Sequence, residues 1–80
     1  MEARTDESGN SYVETNRPHD EKTRVTYVPH QEWAGQAVVR IQVRRADGHL
    51  QRGPEIPIDQ VGDVVSSIIN LLSKTAHQKA

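Results

Sequence analysis

Eighty residues make one domain at most, and a chain this short gains much from a staple or a partner because it buries a small fraction of its surface. It has no cysteine, which excludes a disulfide scaffold and a cysteine-based zinc site and fits a reducing, cytoplasmic setting. The formal net charge of −1 averages two unlike parts: residues 1–22 carry six acids against three bases, and residues 23–80 carry seven bases against five acids.

From Met1 to about Lys22 the chain is rich in Glu, Asp, Ser, Thr and Asn, with Tyr12 and Val13 the sizeable apolar side chains besides Met1. Such a composition buries too little to offset its ordering entropy, so residues 1–22 are expected to be a disordered acidic tail, a candidate docking segment for a protein partner. MEARTDESGN lacks a basic region followed by an apolar run, and no apolar stretch is long, so neither a signal peptide nor a membrane span is expected.

Residues 23–75 read as a folded unit. Arg24–Val28 alternates β-branched and aromatic residues and predicts a strand that ends, bends or lies at an edge at Pro29, with a brief resumption through Gln31–Trp33. Ala34-Gly35-Gln36 predicts a turn into the strongest strand, Ala37–Arg44. There Ala37, Val39, Ile41 and Val43 point to one face, expected to be core. Val38, Arg40, Gln42 and Arg44 point to the other, expected to be wet. Ala46-Asp47-Gly48 is a hairpin signal, His49–Gln51 a short return strand, and Glu55–Ile58 an edge strand or connector after Gly53-Pro54.

Asp59–Lys74 predicts an amphipathic helix. Val61, Val64, Val65, Ile68, Ile69, Leu71 and Leu72 fall within an arc of about 160° on a helical wheel, with Asp59 as N-cap and Lys74 at the C-terminal end. Gly62 and the β-branched residues make its intrinsic propensity poor, so packing must supply its stability. The pattern predicts an α+β fold: a three- to four-stranded antiparallel sheet, its apolar face covered by one C-terminal helix, with residues 76–80 frayed.

No group of residues has the spacing of a catalytic set, and His19, His30, His49 and His77 are scattered, so no enzyme activity, cofactor or metal is expected. The arginines are more informative. Arg40 and Arg44, with Gln42 between them, would stand in a row at intervals of about 6.6 to 7 Å, close to the phosphate spacing of an extended single strand. Arg45 and Arg52 would widen that cationic surface, and Trp33 and Tyr27 are the aromatic side chains available to stack on bases. Single-stranded DNA or RNA is the partner such a surface predicts. Set against it is the plainer reading of two solvated arginines on a strand and a tryptophan filling a hairpin.

From about Thr23 to Leu72, roughly fifty of the eighty residues, the chain resembles the DNA-binding domain of the positive cofactor four family of transcriptional coactivators. The matching stretches are Val38-Val39-Arg40-Ile41-Gln42-Val43, then Asp47-Gly48-His49-Leu50-Gln51-Arg52-Gly53-Pro54, then Glu55-Ile56-Pro57-Ile58 and the helix from Asp59. The resemblance implies a homodimer, paired through the helix at Val61, Val65, Ile68, Ile69 and Leu72, whose strands hold single-stranded DNA by its phosphates. It also implies a role in transcription and, in a bacterium, association with the nucleoid. The chain departs from the family in having Glu55 where a basic residue is usual, Val61 where an aromatic is common, and few lysines on its strands. The alternative from another class is a small protein-interaction module without nucleic-acid affinity, which the near-neutral charge and shortage of aromatics motivate.

Overall fold

A computed structural model describes residues 1–78. In chain order the elements are β1 (Arg4–Thr5), β2 (Ser11–Asn16), β3 (Lys22–Gln31), β4 (Gln36–Arg44), β5 (Leu50–Gln51), β6 (Glu55–Pro57) and α1 (Ile58–Gln78). The strands form one curled antiparallel sheet in the order β1-β2-β3-β4-β5, and β6 pairs with the same edge of β4 nearer its start. The α+β class expected from the sequence is present, with six strands where three or four were predicted.

The additional strands come from the segment expected to be a disordered tail. Asp6 closes the β1–β2 turn: its carboxylate accepts from the backbone N–H of Ser8 at 2.9 Å and of Asn10 at 2.8 Å. Gly9 supplies the positive φ of 84° that the reversal needs. Beyond the turn, Tyr12, Val13, Glu14, Thr15 and Asn16 pair in register with Thr26, Val25, Arg24, Thr23 and Lys22. Composition misled because it counts apolar side chains, whereas this strand is held by backbone pairing and by the partners of Glu14.

β3 runs through Pro29 to Gln31, with a register irregularity between Val28 and Gln31 that absorbs the missing donor. Trp33 lies in the following turn, not in a resumed strand; there Ala34 and Gly35 donate to the carbonyl of Gln31 at 3.1 and 3.0 Å. Between β5 and β6 the chain hugs β4. The N–H of Ile41 donates to the carbonyl of Pro54 at 3.0 Å, and a Cβ on Gly53 would stand 1.9 Å from the carbonyl oxygen of Ile41. Only glycine fits there.

Cross-strand partners share a face of an antiparallel sheet, so the pairs Val28–Val38, Thr26–Arg40, Arg24–Gln42 and Lys22–Arg44 put the arginine row on the face that holds the buried residues. Val38 and Thr26 are fully buried there and Val28 nearly so. The opposite face carries Val25, Tyr27, Val39, Ile41 and Val43, of which Val25 and Tyr27 are exposed. The expected division into an apolar core face and a wet arginine face is therefore corrected: the arginine face is half-buried and contains the small core, and the apolar face is partly open.

The helix does not lie over the apolar face as expected. It approaches only β4 and β6 among the strands, near its own start, and Val64, Val65, Ile68, Ile69, Leu71 and Leu72 are exposed. It begins at Ile58, one residue before the predicted start, so Asp59 lies in the first turn rather than at the N-cap, where its charge still complements the helix dipole. The Asp59 N–H donates to the Gln36 side chain at 3.3 Å, tying the helix start to β4. Ala76–Gln78, expected to fray, continue the helix, and residues 79–80 lie outside the described residues. No described helix is long and apolar enough to cross a membrane.

Candidate functional site

The alternation of β4 sends Arg40, Gln42 and Arg44 to the same side, and the curl of the sheet gathers them with residues from β2, β3, β6 and the turns. Two hollows adjoin along this side. The first, about 660 Å³, is lined by Gln31, Trp33, Arg40, Gln42, Arg52, Gly53 and Glu55. The second, about 520 Å³, has Tyr12, Arg24, Arg40, Gln42 and Arg44 on its strands and Asp6–Ser8 and Gly48 at its rim. Arg40 and Gln42 belong to both, so the hollows form one groove across the strands.

Of the residues singled out from the sequence, Trp33, Arg40, Gln42 and Arg52 meet in the first hollow and Arg44 in the second. Arg45 is not with them. It follows the last residue of β4, pairs with Glu21 at 2.7 Å, and lines a separate depression with Ala46, Asp47 and His49. Tyr27 is also excluded, because it pairs with Val39 on the opposite face. Val61 is half-buried at the start of the helix, and Val65, Ile68, Ile69 and Leu72 are exposed along it.

Two glutamates hold the arginines of the groove. Glu14 accepts from Arg24 Nε at 2.9 Å and from Arg44 Nε and Nη2 at 2.9 Å each, so one carboxylate serves two guanidiniums and leaves the trio with a net charge of +1. The hydrogen bonds from Arg44, and then from Arg24, bring its carboxyl down to about 2 against the opposing effect of burial. Glu55 accepts from Trp33 Nε1 at 2.6 Å, from Arg40 Nε at 2.7 Å, and from Gln31 Nε2 at 3.0 Å to each oxygen. The Trp33 indole, and then Arg40, hold Glu55 below the usual carboxylate range.

Arg24 and Arg40 are both held through Nε. A guanidinium carries five N–H donors in a fixed fork, so each keeps its terminal nitrogens for another acceptor. Arg24 also lies over the ring of Tyr12, its Cζ 4.0 Å from the centroid, which occupies one face of that ring. Trp33 is anchored by its indole N–H and yet 62 % exposed, so a ring held in place remains open to solvent. Arg52 makes no ion pair among the described residues.

Sequence reasoning missed Tyr12, Glu14 and Arg24 as members of this site. The signal was present as the alternation of Tyr12, Glu14 and Asn16 against Val13 and Thr15, overridden by the polar character of the whole segment. Glu55 is joined to Gln31 and Trp33 only by tertiary contact, 24 and 22 residues away in sequence, and no local pattern announces that.

The fold and site define a small α+β protein with a curled antiparallel sheet whose arginine face forms a groove and whose C-terminal helix is amphipathic. No family model, curated protein or solved structure matches the chain.

Proposed function

We propose that the protein binds single-stranded nucleic acid as a homodimer in the manner of the positive cofactor four coactivators, with phosphates on the arginines of the groove and a base against Trp33. The observation that carries this reading is the groove itself. It combines guanidiniums held through Nε, with terminal donors left over, and an anchored indole that remains open, which are the two components of a single-strand site. Glu14 and Glu55 lower the net charge of the groove and with it the affinity for phosphate alone. Transcription and a cytoplasmic or nucleoid location belong to this proposal through the family resemblance.

Anisotropy of a labelled oligothymidylate titrated with the protein tests it. Contacts by Arg40, Arg44 and Arg52 from one chain or two should give a plot of log K against log salt with a slope between about −2 and −4. Arg52→Ala, which removes an exposed and unpaired cation, should weaken binding and flatten the slope without altering the fold. A flat titration at low salt removes the proposal.

The exposed apolar stripe of the helix favours a second reading, a protein-interaction module using that stripe. A flat oligonucleotide titration combined with a protein partner lost on mutation of the stripe would select it.

A further inference from the structure

The acceptor capacity of Glu55 is filled by the protein. Two carboxylate oxygens offer about four lone-pair sites, and Trp33, Arg40 and the two contacts of Gln31 occupy them. Glu55 is therefore not equipped to receive hydrogen bonds from a ligand, and what it offers an incoming strand is a fixed negative charge beside the base platform. That charge touches the guanidinium of Arg40, which is bound through Nε and keeps its terminal N–H donors for another acceptor, so a phosphate arriving at Arg40 would meet attraction and repulsion at one place.

The consequence differs between ligands. A bare polyanion gains only from the cations of the groove and meets the full repulsion of Glu55. A single strand carries bases as well, and an uncharged base set against Trp33 would occupy the space nearest the carboxylate, leaving its phosphates to Arg52 in the same hollow and Arg44 in the next. We infer that Glu55 is a specificity-determining residue that biases the groove toward base-bearing single strands and against bare polyanions. The inference rests on the reading of the groove as a nucleic-acid site.

The experiment compares the full chain with Glu55→Gln and Glu55→Asp, measuring the affinity of each for oligothymidylate and for inorganic polyphosphate of matched charge. Glu55→Gln removes the charge and keeps a carbonyl acceptor for the Trp33 indole. It should tighten polyphosphate binding by about two- to fivefold, with a smaller change for oligothymidylate, so that the selectivity ratio falls. Glu55→Asp keeps the charge and should keep the ratio. A ratio unchanged in Glu55→Gln, or lost in Glu55→Asp as well, overturns the inference. If the unaltered chain binds no oligothymidylate, the proposed function falls and this inference with it, whereas binding with a ratio indifferent to Glu55 removes the inference alone.

Discussion

Glu14 ties three successive strands together, since its carboxylate on β2 bonds Arg24 on β3 and Arg44 on β4. Its folded-state value of about 2 lies below the ordinary 4.5, so as pH falls the unfolded chain takes up the proton first. Its contribution to stability is complete above the ordinary value and is lost as pH drops through the folded one. Allowing for solvent screening, it amounts to something on the order of 2 kcal/mol at neutral pH. Urea unfolding at about pH 7 and about pH 3 should show the unaltered protein losing stability over that range and Glu14→Gln starting lower with a shallower loss. Equal slopes for the two proteins would show that Glu14 is not the linked group. At this scale the sequence was partly legible: Arg40, Gln42 and Arg44 could be read from the alternation of a strong strand, whereas Glu14 and Arg24 could not be joined to them, because strand pairing and not sequence proximity brings them together.

The elements are joined by tight turns, and the β2–β3 turn is the strained one. His19 and Asp20 hold φ values of 64° and 61°, the positive region that L residues enter at a cost. Glu21 donates back to the carbonyl of Pro18 across it at 3.4 Å. Two consecutive positive-φ residues are what type I′ turns require, and Asn-Gly meets that demand best. His19→Asn combined with Asp20→Gly should raise stability by on the order of 1 kcal/mol in thermal or urea melts, since both positions are exposed and away from the groove. Gly53→Ala should do the opposite. Its Cβ would overlap the carbonyl oxygen of Ile41, and relieving the clash would push β6, and Glu55 with it, away from β4. A loss on the order of 1–3 kcal/mol is expected, together with weaker oligonucleotide binding. A Gly53→Ala protein as stable as the original would show that this edge yields freely. The Asp47-Gly48 turn was readable in advance because its glycine is the local signature of a hairpin, whereas His19-Asp20 breaks the rule that makes such turns visible.

At the scale of the whole molecule, the core of one chain is very small. Among the described residues only Thr26, Val28 and Val38 are buried, and seven large apolar side chains of the helix are exposed. Each Leu, Ile or Val taken fully out of water contributes about 1.5–3 kcal/mol, so an amphipathic helix left in solvent forgoes more than a domain this small has to spare. A second copy covering the stripe is the expected remedy. Sedimentation equilibrium should return twice the chain mass, and Ile68→Asp should give a monomer or an unfolded chain. A folded Ile68→Asp dimer would show that the copies do not meet through this stripe. By itself the sequence determined the class of the fold, the β4 alternation that aligns Arg40, Gln42 and Arg44, and the amphipathic helix with its apolar residues on one side, because each follows from a period of two or 3.6 residues in a contiguous segment. Tertiary structure alone decided that residues 4–16 join the sheet, that the buried residues share the arginine face, that Glu14 and Glu55 organise the groove, and that the helix stands away from the apolar face. Each of those depends on pairing between distant strands and on the curl of the sheet, which no local pattern of residues encodes.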